Sequence, residues 1–284
     1  MLPATAPVPD DALDAMVRLL AHRRFVALTG AGCSTESGIP DYRGGGRTGP
    51  RHPIQHDAYL RRPDVRRRYW ARATVGWSRF SAALPNAAHH ALAALERAGR
   101  LAGVITQNVD RLHQAAGSAR VVELHGALAE VSCLGCACVE ARANVHARLL
   151  AENPGWLPRV AAELRLAPDG DAELPAEVVD EFRVVTCLAC GGVLKPDVVF
   201  FGGTVADSTL AAAWSLFDAS EALLVVGSSL AVYSGFRFAR RAAERAIPIG
   251  VINVGPTRAD PHVAVRVSAR AGDVLPELAR RLRG

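Results

Sequence analysis

Lysine is almost absent from this chain. Lys195 is the only lysine among 33 lysine and arginine residues, so arginine carries nearly all of the positive charge. Arginine, alanine, glycine and proline share GC-rich codons, and their abundance here is typical of a GC-rich genome. The net charge is +5, and apart from 61–62 and 66–68 the basic residues are spread along the chain. We therefore expect no specific nucleic-acid partner.

Long apolar runs are absent as well. No stretch reaches the roughly 18 consecutive apolar residues of a membrane helix, and residues 1–10 lack a basic segment followed by an apolar one. We expect no membrane partner and a cytoplasmic location. Six cysteines in such a protein do not predict a disulfide framework, because the cytosol keeps thiols reduced. Metal binding or catalysis must account for them.

The chain is rich in short apolar segments that alternate with helical patterns. With 284 residues, half of them hydrophobic, it can bury a large core. Strands are predicted over 25–28, 101–106, 121–124, 193–201, 223–226 and 249–252, and helices over 11–22, 86–98, 209–218, 235–246 and 275–282. This alternation predicts an α/β fold, a Rossmann-like and mostly parallel sheet with helices on both faces.

Two regions interrupt the alternation and predict a smaller lobe. Residues 41–85 are first glycine-rich and then rich in arginine and aromatics, and 131–190 begin and end with a cysteine pair. We assign 1–40, 86–130 and 191–284 to a discontinuous Rossmann-like domain. Residues 41–85 form a cofactor loop and helical insertion, and 131–190 form a zinc-binding module with its own insertion.

The cysteine pairs predict a metal site. Cys133 and Cys136 are separated by two residues, and so are Cys187 and Cys190. Two such turns complete a closed tetrahedral set of four thiolates, which is typical of structural zinc and leaves no position for a catalytic water. Cys138 is a spare thiol that could replace Cys136, although the repeated spacing favours Cys136.

A glycine-rich loop follows the first strand. Gly30 and Gly32 stand just past residues 25–28, where backbone amides can approach a pyrophosphate at a helix N-terminus. Thr35 takes the place of a third glycine, and no acidic residue near position 50 is available for a ribose. A plain strand-to-helix turn stays open on this loop alone. Cys33 within it fits a small buried residue better than a nucleophile.

A longer string extends this loop and carries a family resemblance. Gly-Ala-Gly-Cys-Ser at 30–34 and Ser-Gly-Ile-Pro-Asp-Tyr-Arg at 37–43 resemble the first signature of the sirtuin (Sir2) family. The resemblance continues in order through 106–110, 125–126, both cysteine pairs, 195–202, 227–230 and 252–255. Residues 41–43, 68–77 and 255–258 most resemble the class II branch, which includes mitochondrial class II sirtuins of animals.

The resemblance implies NAD as co-substrate and a structural zinc ion. In this family Arg43 would balance phosphate charge, Gln107 would lie against the ribose and Ala271 near the adenine. The residues that the resemblance implies for NAD are Gly30, Ala31, Gly32, Glu36, Asp41, Tyr42, Arg43, Gln107, Asn108, Val109, Asp110, Gly227, Ser228, Ser229, Asn253, Val254, Gly255 and Ala271.

The resemblance also implies the activity, removal of acyl groups from protein lysines with transfer to ADP-ribose. His125 is the candidate base that activates a ribose hydroxyl, because imidazole titrates near neutrality and the strand before it ends at the ligand-binding edge of the sheet. Asn108 would orient the ribose and Asp110 the nicotinamide carboxamide. A polar turn that caps the next helix is the alternative for these two residues.

The expected partners are proteins with acylated lysines. By resemblance an extended peptide pairs with the segment Val199, Phe200, Phe201 and Gly202 and with Val232 and Tyr233. Tyr69 and Arg72 are three apart in a predicted helix and share a face. Class III sirtuins, which remove acidic acyl groups, use this pair at the same spacing. We take both residues as candidate acyl selectors, with a solvated helix face as the alternative.

Two other functions stay open at this point. The same NAD cleavage serves transfer of ADP-ribose to a protein side chain, an activity also reported for class II members. A catalytically silent NAD-sensing module is the second alternative. The presence of Asn108, Asp110 and His125 argues against a silent module.

Overall fold

Six short apolar strands form one parallel sheet. The structure, a computed structural model, describes residues 10–40, 53–163 and 174–283. The strands of this sheet are β1 (Phe25–Thr29), β2 (Leu101–Thr106), β3 (Val121–Glu123), β7 (Ala222–Val226), β8 (Ile249–Ile252) and β9 (Val265–Val267). Their order in the sheet is β3-β2-β1-β7-β8-β9. The four central strands, β1, β2, β7 and β8, are buried on both faces, which confirms the α/β fold.

Helices cover both faces of the sheet. Phe25 and Ala27 of β1 point into one apolar core with α1 (Asp10–Leu20), α4 (Ala87–Arg97) and α11 (Ala271–Arg283). Val26 and Leu28 point into a second core with α9 (Asp207–Asp218) and α10 (Tyr233–Glu244). A short α5 (Leu112–Ala115) follows β2, and single helical turns lie at Ala31–Cys33, Thr35–Ser37 and Asp260–His262.

A second unit contains a small antiparallel sheet of three strands. The strands are β4 (Gly126–Cys133), β5 (Val139–Ala141) and β6 (Leu194–Val198), in the order β5-β4-β6. The helices of this unit are α2 (His56–Arg61), α3 (Pro63–Ser81), α6 (Arg142–Glu152), α7 (Trp156–Glu163) and α8 (Ala176–Asp180). The unit has its own core, which includes Trp70, Val131, Leu149 and Trp156.

The predicted strand over 193–201 is wrong in two respects. The strand ends at Val198, and it pairs antiparallel with β4 instead of joining the parallel sheet. A short apolar run does not reveal its pairing partner, because both kinds of buried strand have the same composition. Residues 199–203 form a turn in which the amide of Gly203 donates to the carbonyl oxygen of Phe200 at 2.9 Å.

The borders between the two units differ from the predicted domain borders. Of the described residues, the first unit takes 10–40, 84–124 and 205–283, and the second takes 53–83, 125–163 and 174–204. Residues 125–130 and 191–204 lie in the second unit because β4 and β6 pair with each other. Among the described helices, none combines the length and apolar character needed to cross a membrane.

Candidate functional site

The loops after β1 and β7 meet at the carboxyl edge of the parallel sheet. A methyl group on Gly30 would lie 2.7 Å from Cβ of Ser228, and one on Gly32 would lie 2.9 Å from Cα of Gly227. Only glycine therefore permits this close approach. The strand order reverses between β1 and β7, and doubly wound sheets bind ligands at such a switch point.

Two amides of the first loop form hydrogen bonds with the strand and loop of β7. The amide of Gly30 donates to the carbonyl oxygen of Val226 at 3.0 Å, and that of Gly32 donates to Gly227 at 2.8 Å. These hydrogen bonds join the two loops at the switch point. The approach of backbone amides to a pyrophosphate stays a prediction.

Asn108 and Asp110, which follow β2, are joined through Ser34 of the first loop. The side-chain nitrogen of Asn108 donates to Ser34 Oγ at 3.0 Å and to the carbonyl oxygen of Gly30 at 3.1 Å. Ser34 Oγ donates to Asp110 Oδ2 at 2.6 Å. The other carboxylate oxygen accepts from the amide of Leu112 at 3.0 Å and caps α5. An amide, a hydroxyl and a carboxylate are thus fixed in one network.

Two buried histidines support this network. Thr29 Oγ1 donates to Thr106, so its oxygen accepts from Nε2 of His113 at 2.9 Å. Nδ1 of His89 lies 3.2 Å from the amide nitrogen and 3.0 Å from Oδ1 of Asn86, and Nε2 lies 3.5 Å from Ser34 Oγ. Burial lowers the pKa of His89 to about 4, and burial with the nearby His89 lowers the pKa of His113 to about 3. Both imidazoles are therefore neutral at physiological pH.

Ser34, His89 and His113 were not among the predicted site residues. Both histidines are buried, His89 on α4 and His113 on α5, and the local sequence does not reveal this burial. Cys33 is fully buried, and desolvation raises the pKa of its thiol. A buried thiol that holds its proton is a poor nucleophile.

Polar side chains of the other loops also bond within the first unit. Gln107 donates from Nε2 to Ser228 Oγ at 2.8 Å, and Asn253 donates from Nδ2 to the carbonyl oxygen of Gly255 at 2.9 Å. The first contact places Gln107 beside Ser228 of the loop that follows β7. The loops that follow β1, β2, β7 and β8 contain Ala31, Val109, Ser229 and Val254, respectively.

Glu36 has a structural partner. Its Oε2 accepts from the amide of Gly272 at 2.9 Å, at the amino end of α11 beside the buried Ala271. A carboxylate at this end of a helix is stabilised by the helix dipole. Three predicted NAD residues, Asp41, Tyr42 and Arg43, lie outside the described residues.

In the second unit, His125 is the first residue of the segment 125–163. Its carbonyl oxygen accepts from the amide of Val199 at 2.9 Å, and the side chain is partly exposed. The next residue, Gly126, has φ 72°, and a methyl group there would lie 2.0 Å from the carbonyl oxygen of Asp197. Gly126 is therefore required for the backbone of β4 to pass close to β6.

The predicted peptide segment after β6 is a turn, and the single lysine bonds to the strand that precedes it. Lys195 Nζ donates to the carbonyl oxygens of Val198 at 2.5 Å and Pro196 at 3.0 Å. Phe200 is buried, whereas Phe201 is 43% exposed and its carbonyl oxygen accepts from the amide of His56 at 2.8 Å. Gly202 has φ 78°, in the left-handed region that favours glycine.

Tyr69 and Arg72 lie on α3, as predicted, and neither is fully exposed. The Tyr69 ring contacts the rings of Tyr59, Trp70 and Phe200 at centroid distances of 5.6, 5.2 and 5.4 Å. This part of α3 is therefore packed against an aromatic cluster, in contrast to a solvated helix face.

The two cysteine pairs fold into equivalent turns. The amide of Cys133 donates to the carbonyl oxygen of Cys138 at 2.9 Å. In the second pair the amide of Cys187 donates in the same way to Gly192, also at 2.9 Å. Cys138 therefore occupies the position of Gly192 in the repeated turn.

The preceding residues correspond as well. Ala137 and Gly191 both have left-handed backbones, with φ 59° and 69°. Cys136 and Cys190 directly precede them. The correspondence pairs Cys136 with Cys190 and leaves Cys138 as the additional thiol.

Five sulfur atoms lie together at these turns. Cys133 Sγ lies 3.5 Å from Cys190, and Cys187 Sγ lies 3.8 Å from Cys136 and 3.3 Å from Cys138. One set of four lies within 4.8 Å of one another, namely Cys133, Cys136, Cys138 and Cys187. A cluster of four cysteines fits a structural zinc ion, and the fifth sulfur exceeds what a tetrahedral site takes.

Comparisons with known proteins agree on one family. The Sir2 family matches residues 30–234. An NAD-dependent protein deacetylase of Xanthomonas campestris pv. campestris (strain 8004) is 51% identical over 256 residues, covering 89% of this chain and 86% of its own length. The human NAD-dependent protein lipoamidase sirtuin-4, mitochondrial, is 45% identical over 282 residues, covering 97% and 88%.

A solved structure extends the similarity to the fold. Sir2 bound to acetylated peptide is 29% identical to this chain, covers 95% of it and 96% of its own length, and gives a TM-score of 0.73. The similarity thus includes both the parallel sheet and the cysteine-bearing insertion.

Proposed function

Because the chain belongs to the Sir2 family, we propose that it is an NAD-dependent protein-lysine deacylase. It transfers the acyl group of an acylated lysine to ADP-ribose and releases nicotinamide and O-acyl-ADP-ribose. The observation that carries the proposal is the Asn108–Ser34–Asp110 network beside the crevice between β1 and β7. That network fixes polar groups where this fold binds a dinucleotide.

In the proposed reaction NAD supplies an electrophilic ribose carbon as its bond to nicotinamide breaks, and the acyl oxygen of the substrate attacks that carbon. Asn108 orients the ribose, and Asp110 orients the nicotinamide carboxamide. Ser34 and the neutral His89 hold these two side chains in place. His125 accepts the proton of a ribose hydroxyl, a role that suits an imidazole with partial access to water.

We further propose that the first unit binds NAD and that the second holds the zinc module. Gly30, Gly32, Gly227, Ser228 and Gln107 support the first assignment, because they build the crevice at the switch point. The substrates are proteins with acylated lysines, in line with the protein deacetylases among the relatives. We propose a cytoplasmic location, where zinc-binding thiols stay reduced.

A panel of acyl-lysine peptides with NAD, read by mass spectrometry, tests the proposal. The wild type should release nicotinamide and O-acyl-ADP-ribose, and His125→Ala should lose about a hundredfold or more in kcat. His262→Ala, at an exposed histidine, serves as the matched control and should retain full activity. ADP-ribose on protein without O-acyl-ADP-ribose indicates ADP-ribosyl transfer, and NAD binding without nicotinamide release indicates a silent module.

For the zinc ion we propose the ligands Cys133, Cys136, Cys187 and Cys190. The equivalent turns support this set, because Cys138 corresponds to a glycine in the second turn. The amides of Gly135 and Gly192 point at two of the sulfurs, Cys133 at 3.3 Å and Cys190 at 3.4 Å, which stabilises thiolates. The ion would fasten the turns and take no part in the chemistry.

Zinc content of two serine variants tests this ligand set. Cys138→Ser should retain one zinc per chain by elemental analysis, whereas Cys190→Ser should lose most of it. The reverse result would assign the ligand role to Cys138, as the sulfur distances alone permit.

We also propose Tyr69 and Arg72 as selectors of acyl chains that end in a carboxylate. Their helical spacing and the partly buried aromatic setting of Tyr69 support the proposal. Arg72→Ala should reduce turnover of glutaryl-lysine far more than that of acetyl- or lipoyl-lysine. Arg79→Ala, on the exposed end of the same helix, is the control. Equal losses on all three substrates would contradict the role.

A further inference from the structure

The exposed face of α10 carries one tyrosine between two arginines. The guanidinium carbons of Arg237 and Arg240 lie 5.2 and 5.4 Å from the centre of the Tyr233 ring. Spacings of four and three residues put all three on one face of the helix. The Tyr233 residue is 44% exposed and the Arg240 side chain 55%. We name these three residues the α10 stripe.

The positive charge of α10 is only partly neutralised. Glu244 pairs with Arg240 at 3.4 Å and with Arg241 at 3.6 Å. Within the described ranges, no carboxylate pairs with Arg237, whose buried Nε has no hydrogen-bond partner. The helix thus carries three guanidinium groups and one carboxylate, which pairs with two of them. Exposed ion pairs of this kind contribute little and exchange readily for a new partner.

The stripe begins where the peptide is proposed to bind. Val232 is the residue before the first turn of α10 and is 42% exposed, and Tyr233 opens the helix. A peptide whose backbone pairs with these two residues would carry its neighbouring side chains over Arg237 and Arg240. Because the aromatic ring holds both guanidinium groups by cation–π contact, they lose little freedom when they bind an anion.

We infer that the α10 stripe selects acylated proteins that carry aspartate or glutamate near the modified lysine. Carboxylates form charge-assisted hydrogen bonds with guanidinium groups, and exposed charges of opposite sign raise the association rate. The inference rests on the proposed deacylase function and adds a sequence preference to it. The stripe acts on binding and not on the reacting atoms, so it should change KM and leave kcat unaltered.

The test uses acyl-lysine peptides with glutamate, glutamine or lysine at each of the three positions on either side. At low salt, glutamate should lower KM about three- to tenfold relative to glutamine at one or more of these positions, and lysine should raise it. High salt should remove the difference, because it screens exposed charges. The double variant Arg237→Gln/Arg240→Gln should abolish the preference.

Arg241→Gln is the matched control. Arg241 lies on the same helix and has similar exposure, but it does not contact the Tyr233 ring. This variant should keep the preference for glutamate. The KM for NAD should be the same in all variants, which also confirms that they fold.

Equal KM values for glutamate and glutamine peptides overturn the inference, and so does a preference that survives in the double variant. An equal loss in Arg241→Gln would assign the effect to general charge and overturn it too. Peptide affinities measured by fluorescence polarisation test the stripe independently of turnover. If every peptide binds with the expected preference and none is deacylated, the proposed function fails while the stripe stands. Tight oligonucleotide binding without a glutamate preference would identify nucleic acid as the partner instead.

Discussion

Ala137 has a left-handed backbone conformation, which glycine adopts at the equivalent position of the second cysteine turn. Its φ is 59°, and the equivalent Gly191 has φ 69°. A left-handed conformation costs an alanine roughly 1–2 kcal/mol, part of which is offset by the greater freedom of glycine in the unfolded chain. Ala137→Gly should therefore raise the free energy of unfolding by about 0.5–1 kcal/mol.

Denaturant unfolding of the zinc-loaded protein measures this change. Gly191→Ala is the opposite substitution at the equivalent position, where no atom lies within 4 Å of the added methyl group. It should lower the stability by a similar amount. Changes of the same sign in both variants would contradict the equivalence of the two turns.

The neutral histidines His89 and His113 predict that the stability of the protein depends on pH. In the unfolded chain imidazole has a pKa near 6.5, but burial lowers the pKa of His89 to about 4 and that of His113 to about 3. As the pH falls from 6.5 towards 4, the unfolded state binds protons that the folded state does not bind. The stabilisation present above pH 6.5 is thus lost on acidification.

Urea unfolding at pH 7.5 and pH 5.0 checks this expectation. The wild type should lose stability between the two conditions, and His113→Leu should lose less, although it starts from a lower stability at pH 7.5. A fall of equal size in both proteins would show that His113 does not contribute.

At the scale of elements, the close approach of β4 and β6 depends on Gly126. An alanine there would be strained at φ 72° and would place its methyl group 2.0 Å from the carbonyl oxygen of Asp197. We expect Gly126→Ala to cost more than about 3 kcal/mol and to abolish activity, because strain and steric overlap act together.

Gly155→Ala separates the two causes. Gly155 has φ 74° in the same unit, and no atom lies within 4 Å of a methyl group built on it. Its substitution should cost only about 1 kcal/mol, as measured by thermal unfolding. Similar losses in both variants would contradict the importance of the β4–β6 contact.

The strands and helices of the parallel sheet were predictable because their signals are local. Apolar β-branched runs and helical periodicity gave β1, β2, β7 and β8 within one residue. β4 was missed, because its residues between Gly126 and Cys133 include few β-branched side chains and only part of the strand is buried. β9 was missed because it is three residues long. The partner of β6 depends on contacts distant in sequence.

The site was predictable to the extent that motifs mark the loops. Asn108 and Asp110 were identified, and the structure brings them together through Ser34. The supporting histidines were not identified, since His89 meets Ser34 across 55 positions and His113 meets Thr29 across 84. No local pattern encodes such a contact.

At the scale of the whole molecule, each unit has its own apolar core, and the cysteine cluster belongs to the second unit alone. Removal of zinc should therefore destabilise the second unit and leave the parallel sheet folded. Three tryptophans, Trp70, Trp77 and Trp156, lie in the second unit, and Trp214 lies in the first. Trp214→Phe thus restricts tryptophan fluorescence to the second unit.

Thermal unfolding of Trp214→Phe with and without a chelator tests this division. Fluorescence should report a lower melting temperature after chelation, while circular dichroism should show a second, higher transition from the parallel sheet. A single coincident transition under both probes would mean that the two units unfold together.

The single lysine has a practical consequence for an enzyme proposed to act on acylated lysines. The amino group of Lys195 donates to two carbonyl oxygens and lies beside the Phe200 ring. Amine-reactive reagents should therefore modify the folded protein almost only at its amino terminus. Reactive acyl donors added to an assay would label the substrate and leave the catalyst itself without an acyl-lysine background.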